Sequence, residues 1–104
     1  MKTTGKIKVN LPLIKMLKAL DNQVRLLIVE HVLNSPPASL TDINECIKEK
    51  RGEIGKEILG YHLDILVQTA VLKKTQENEH PLYHVPPETM KILASRGLIE
   101  AEDQ

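Results

Sequence analysis

The stretch TDINECIKEKRGEIGKEILGYHLDILVQT, residues Thr41–Thr69, decides the fold. Its first part predicts a helix that is capped by Thr41 and ends near Lys50, because its apolar residues recur at helical spacing. The residues 51–53 interrupt this pattern, and a longer helix from about Ile54 to Thr69 follows. Two helices joined by a short break that contains glycine are typical of a helix-turn-helix.

The longer helix is expected to bury one mainly aliphatic face. That face comprises Ile58, Leu59, His62, Leu63, Ile65 and Leu66. The outer face of this helix is polar, as expected for a helix that presents one face to solvent or to a partner.

Helices precede this pair, and a hairpin follows it. Apolar spacing predicts helices at 11–20, behind an Asn10 cap, and after an Asn22 cap. Ala38-Ser39-Leu40 is a short extended piece at most. Val71 to Gln76 and Pro81 to Val85 resemble two short strands, and a last helix opens at Pro86-Pro87-Glu88.

The order helix, helix, helix, helix, hairpin, helix predicts a mainly α fold in which a helix-turn-helix is followed by a small β-hairpin and a last helix. We expect a basic N-terminal arm over residues 1–10, the folded domain over 11–98 and an acidic C-terminal tail over 99–104. No apolar run suggests a membrane span or a signal peptide, so the expectation is a soluble cytoplasmic protein.

The composition narrows the possible functions. The 104 residues include no Phe, no Trp and only two Tyr, which argues against proteins that stack single-stranded bases on exposed rings. The formal net charge is zero, but residues 1–25 carry a net charge of +5 and the remainder carries −5. Neutrality therefore does not exclude nucleic acid, because binding depends on where the charge lies.

Three segments together resemble the ArsR-type winged-helix regulators. ALDNQVRLLIVEHVL (Ala19–Leu33) is similar to the start of their second helix, and LGYHLDILVQTAVLKK (Leu59–Lys74) to their recognition helix and the following wing strand. PLYHVPPETMKIL (Pro81–Leu93) is similar to their second wing strand and last helix. The resemblance implies a winged helix-turn-helix fold and a homodimer that binds double-stranded DNA and regulates transcription.

The sequence also departs from that family. Cys46 stands alone where metal-sensing members have Cys-x-Cys, and it falls on an apolar stripe. Lys48–Gly52 looks like an insertion in the turn, Ala70 replaces a glycine before the wing, and the wing tip Glu77-Asn78-Glu79 is acidic.

The resemblance implies which residues would contact DNA, since the family places this helix in the major groove. The helix positions are Gly55, Lys56, Glu57, Gly60, Tyr61 and Asp64. Lys50, Arg51, Lys73 and Lys74 would add phosphate contacts. Alternatively, all of these side chains are ordinary solvated surface.

The first and last helices form the dimer interface in the resembled family. The apolar residues that would do so here are Leu13, Ile14, Leu17, Met90, Leu93 and Leu98. A stripe that packs only within one chain is the alternative.

Metal binding and catalysis have little support in the sequence. The histidines His31, His62, His80 and His84 have no cluster of acids or thiols that completes a tetrahedral set, so we expect no metal site, although one shared across a dimer stays open. Because no Gly-rich phosphate loop, GxSxG or HExxH is present, we expect no cofactor and no enzyme.

Three functions therefore remain open. The first is a sequence-specific regulator of transcription, and the second is a winged-helix module that binds other proteins. The third is an architectural DNA-binding protein with little sequence preference.

Overall fold

The computed structural model describes residues 5–100, and the predicted order of helices and hairpin is confirmed. The elements are α1 (Leu11–Leu20), α2 (Gln23–Asn34), β1 (Ala38–Ser39), α3 (Leu40–Arg51), α4 (Lys56–Gln68), β2 (Lys73–Glu77), β3 (His80–His84) and α5 (Pro87–Ser95). Residues 1–4 of the predicted arm and 101–104 of the predicted tail lie outside the described residues.

The sheet has one strand more than the predicted hairpin. β1 pairs with β3 through Ala38 with Tyr83 and Ser39 with Leu82, so that the antiparallel order is β1-β3-β2. The hairpin alone would leave one edge of β3 unpaired, and the β1 pairing satisfies part of it.

Side chains cap the first three helices. The Asn10 and Asn22 side chains accept from the amides of Leu13 and Arg25 at 3.1 and 3.0 Å, so both predicted caps are confirmed. The predicted Thr41 cap is wrong. Ser39 caps α3, because its hydroxyl accepts from the Asp42 amide while the Asp42 carboxylate accepts from the Ser39 amide.

The core is aliphatic and lies between the helices and the sheet. Its largest fully buried side chains include Ile28 of α2, Ile43 and Ile47 of α3, and Leu59 and Leu66 of α4. Ile58, predicted to be buried, is 52% exposed. Leu59, His62, Leu63 and Leu66 already complete the inner face at helical spacing, and Ile58 lies about 100° away from Leu59 around the helix.

The turn between α3 and α4 is shorter than the sequence suggested. Residues 48–51 form the last turn of α3 and do not lengthen the loop, so the connection is only Gly52 to Gly55. Gly52 has φ 98° and ψ 167°, and Gly55 has φ 87° and ψ 151°. This region of backbone conformation is essentially restricted to glycine, which explains why α4 begins at Lys56 and not at Ile54.

The wing joins α4 through a second sharp turn. The Leu66 carbonyl accepts from the amides of both Val71 and Leu72, at 2.9 and 3.0 Å, and Ala70, directly before Val71, has φ 66°. The buried Thr89 hydroxyl of α5 donates to the Val71 carbonyl at 2.8 Å. Hydrogen bonds therefore connect the base of the wing to both α4 and α5.

No helix within residues 5–100 is long and apolar enough to cross a membrane.

Candidate nucleic-acid interface

The outer face of α4 is a polar stripe. Glu57, Tyr61, Asp64 and Gln68 are exposed at intervals of three or four residues, which places them in one row along the helix. Tyr61 is 61% exposed, while Gly60 beside it is half-buried. The candidate helix positions thus share one accessible face.

The N-terminal end of α4 is open. Gly55 stands at the cap position, and no side chain caps the first amides of the helix. Open space surrounds the position where a side chain of Gly55 would begin. Uncapped amides and the positive end of the helix dipole together favour an anion at this point.

Basic side chains flank this helix end. Arg51 and Lys56 are exposed on either side of the Gly52–Gly55 turn. Lys50, in contrast, points its ammonium toward Glu30 of α2, with 3.3 Å between the nitrogen and the carboxylate oxygen. Since both partners are well exposed, this ion pair is weak and Lys50 can leave it.

The wing carries charges of both signs. Lys73 and Lys74 are exposed at its base, whereas Glu77 and Glu79 are exposed at its tip. Burial raises the pKa of Tyr83 on β3, and the nearby Asp64 carboxylate raises it further. Asp64 of α4 therefore lies toward the wing.

The inner face of α4 contains a polar contact that the sequence prediction missed. Arg25 of α2 donates from Nε to the Ala19 carbonyl at 2.6 Å, and its Nη1 lies 3.0 Å from Nδ1 of His62. Burial lowers the pKa of His62, and the positive charges of Arg25 and Arg51 lower it further. A signal was available, since Arg25 and His62 both occupy matching positions in the segments that resemble the ArsR-type regulators.

The apolar candidates for a dimer interface do not all reach the surface. Ile14, Met90 and Leu98 are 45%, 41% and 52% exposed, and Leu13 and Leu17 are half-buried. Leu93 is only 2% exposed and belongs to the chain's own core. Met90 and Leu98 also line an apolar groove of about 620 Å³ between α2 and α5.

The histidines and the cysteine are dispersed. His84 bonds through Nε2 to the Thr75 hydroxyl at 2.9 Å, His80 is exposed at the hairpin turn, and Cys46 is buried in α3. Between residues 5 and 100, no three His, Cys, Asp or Glu side chains are gathered closely enough to hold a metal ion.

Several solved structures share this fold. The homodimeric winged helix-turn-helix DNA-binding domain of Mb0332 from Mycobacterium bovis, a possible ArsR-family transcriptional regulator, superposes with a TM-score of 0.69 at 16% identity, covering 84% of this chain and 76% of that one. NolR from Sinorhizobium fredii gives a TM-score of 0.65 at 18% identity, with coverages of 88% and 94%.

The transcriptional repressor BigR from Xylella fastidiosa is similar at a TM-score of 0.61 and 18% identity, covering 86% of this chain and 88% of that one. No protein-family model matches the sequence, and neither does any curated protein sequence.

These likenesses establish the class of fold. The chain is a winged helix-turn-helix of the kind found in ArsR-family transcriptional regulators. The expected fold is thereby confirmed, and its α4 and β2–β3 hairpin correspond to the recognition helix and the wing of that fold.

Proposed function

We propose that this chain is a homodimeric regulator of transcription that binds double-stranded DNA with sequence preference and acts in the cytoplasm without catalysis. The observation that carries the proposal is the exposed face of α4, whose uncapped N-terminal end lies between Arg51 and Lys56. The similar structures support it, because they include a DNA-binding domain and a transcriptional repressor.

In this proposal α4 enters the major groove. Gly55 and Gly60 allow the backbone to approach the DNA closely, and the exposed Tyr61 hydroxyl donates to phosphate. Glu57 accepts a hydrogen bond from a cytosine amino group. Asp64 lies further along the helix, nearer the wing, and in this proposal it belongs to the same DNA-facing row.

Phosphate contacts come from the basic side chains around α4. Arg51 and Lys56 act at its start, Lys73 and Lys74 act at the base of the wing, and Lys50 joins them after leaving Glu30. Because these contacts are ionic, we expect affinity to fall with salt, by close to one logarithmic unit of slope per neutralised phosphate. The acidic wing tip opposes phosphate and lowers the affinity at any salt concentration.

The proposed dimer is formed by α1 and α5. Ile14, Met90 and Leu98 present apolar surface there, with Leu13 and Leu17 partly exposed beside them. Leu93 supports this surface from within the core. A twofold dimer would place its two α4 helices about 34–36 Å apart, one turn of DNA.

The test is a charge reversal read by fluorescence anisotropy on duplexes selected from a random pool. Arg51→Glu with Lys56→Glu should lower affinity by roughly 100-fold, because both phosphate contacts become repulsive. Lys91→Glu in α5 with Arg96→Glu at its C-cap makes the same change in net charge and should cost far less. Analytical ultracentrifugation of both variants checks that the dimer persists. Equal losses in the two variants would contradict a DNA surface at α4.

A second function is favoured by one observation, the exposed acids Glu57, Asp64, Glu77 and Glu79 along α4 and the wing. These charges would suit a protein partner with a basic surface. No DNA binding at micromolar protein in about 50 mM salt, together with a stable protein partner, would favour this module.

An architectural DNA-binding protein is distinguished by competition. A regulator should prefer its selected duplex over an unrelated one by on the order of 10³ or more. Equal competition by both duplexes would leave only sequence-independent binding.

A further inference from the structure

A chain of hydrogen bonds connects three helices beneath the outer face of α4. The Ala19 carbonyl near the end of α1 accepts from Arg25 of α2, and the same guanidinium lies 3.0 Å from His62 of α4. Arg25 is half-buried and His62 is only 9% exposed. The Arg25–His62 pair thus provides a polar connection between α4 and α2 in a largely aliphatic core.

The chemistry of this pair determines the proton on His62. A guanidinium only donates hydrogen bonds, so Nδ1 of His62 must accept and the imidazole must be neutral, with its proton on Nε2. A protonated imidazole donates from both nitrogens and has no lone pair for Arg25. Protonation therefore breaks this bond and places two cations in contact.

We propose that Arg25 and His62 are positioning residues that hold α4 in its DNA-binding orientation, and that acid releases this hold and weakens DNA binding. The inference rests on the proposed function, which it extends with a form of regulation. His62 does not touch DNA in this proposal and acts through the orientation of α4.

The surroundings of His62 favour its neutral form. Arg25 faces it from α2, and Arg51 at the end of α3 adds a second positive charge. Lys15 and Lys18 of α1 are exposed at the surface, and the Tyr61 ring lies edge-on with 5.5 Å between the ring centroids.

Burial is the largest cause of the lowered pKa, so His62 is neutral at pH 7 and gains its proton only below its usual value of 6.5. The unfolded chain binds this proton first as the pH falls. The stability that depends on neutral His62 is therefore present above about 6.5 and decreases as the pH falls from there toward the lowered pKa.

The pair lies directly behind the candidate DNA surface. His62 follows Tyr61, which is 61% exposed, and the two rings are in contact on adjacent faces of α4. A change in how His62 packs therefore moves Tyr61 as well. Displacements of about 1 Å are enough to spoil the hydrogen bonds on which base recognition depends.

The experiment measures DNA affinity from about pH 7.5 to about pH 5.5 at constant ionic strength, with His62→Asn as the key variant. The Asn side-chain oxygen occupies the place of Nδ1, so it can accept from Arg25 but cannot be protonated in this range. Wild-type affinity should fall at least tenfold toward acid, and that of His62→Asn should not fall.

This expected direction is opposite to that of general electrostatics. Acid makes the protein more positive, which by itself strengthens binding to phosphate. His80→Asn, at the exposed hairpin turn, removes a histidine that lies outside the pair and should keep the wild-type decrease. Parallel pH curves for wild type and His62→Asn would overturn the inference.

A measurement without DNA separates this inference from the proposed function. The thermal midpoint of wild type should fall more steeply than that of His62→Asn between about pH 7 and pH 5, because only wild type must protonate a buried base. If no duplex is bound at any pH, the proposed function fails. The thermal result is independent of that outcome: if the two midpoints fall equally with pH, the Arg25–His62 pair is not an acid-sensitive contact.

Discussion

The turns before and after α4 both contain residues with positive φ angles, but the residue types differ. At its N-terminal end, Gly52 and Gly55 take the positive φ angles of 98° and 87°. At its C-terminal end and in the wing, the residues with positive φ are Ala70, Asn78 and Glu79, at 66°, 51° and 68°. Only the first end uses the residue type that adopts such angles without steric cost.

This difference shows which part of the structure imposes each turn. The turn before α4 is permitted by its own sequence and opens onto solvent, with nothing close to either glycine. The turn after α4 opposes the preference of Ala70. It is held by the Leu66 carbonyl, which accepts from the amides of Val71 and Leu72, and by the tertiary bond that the Thr89 hydroxyl donates to the Val71 carbonyl. The chain thus enters the helix that would contact DNA through a turn that its own glycines permit. It leaves that helix through a turn that needs a contact with α5.

The largest effect is expected from Gly55→Ala. An alanine at φ 87° and ψ 151° occupies a region that is essentially reserved for glycine, so the free energy of unfolding should fall by about 2 kcal/mol. Urea unfolding followed by circular dichroism measures this change. Gly60→Ala is the matched control, because Gly60 lies inside α4 without a positive φ and with open space around it. It should stabilise by about 0.5–1 kcal/mol, and a loss of similar size in both variants would contradict the backbone argument.

An intermediate effect is expected from Thr89→Val. This change keeps the shape but removes the hydroxyl that donates to Val71 at 2.8 Å, and a buried carbonyl without its partner costs about 1–2 kcal/mol. Thr41→Val makes the same chemical change on an exposed position of α3 and should alter stability by less than about 0.5 kcal/mol. If the two variants unfold at the same urea concentration, the Thr89 bond does not support the wing.

The smallest effect is expected from Ala70→Gly, and its sign is opposite. Relief of the positive φ, worth about 1–2 kcal/mol, exceeds the extra chain entropy of glycine, so the variant should be stabler by about 0.5–1 kcal/mol. Ala94→Gly inside α5 should lower the free energy of unfolding by a similar amount, since a helix favours alanine over glycine. Thermal unfolding of both resolves the difference, and destabilisation by Ala70→Gly would show that the turn is not strained.

Much of the fold could be predicted because local signals agreed with it. The Asn10 and Asn22 caps, the helical spacing and the hairpin all follow from neighbouring residues. The errors arose where two local signals competed. Ser39 and Thr41 are both good caps, and only the reciprocal bond with Asp42 selected Ser39. Residues 48–51 could extend a turn or a helix, and Gly52 ended the helix after them.

The sequence predicted which residues belong to the candidate site, but not how their side chains are arranged in space. The resemblance identified the outer positions of α4, and the structure leaves all of them at least partly accessible. The resemblance could not show that Lys50 approaches Glu30, that Asp64 lies toward Tyr83 or that Leu93 is buried in the core. These facts depend on residues far away along the chain.

The sequence by itself determined the order of the elements, the aliphatic core and the unequal division of charge, because each depends on residue type and on spacing within a few turns. Only the tertiary structure decided the β1–β3 pairing, the conformation of Ala70 and the contact between Arg25 and His62. The last joins residues 37 positions apart. Such a contact forms only when packing of the core brings α2 and α4 together, since no local preference favours it.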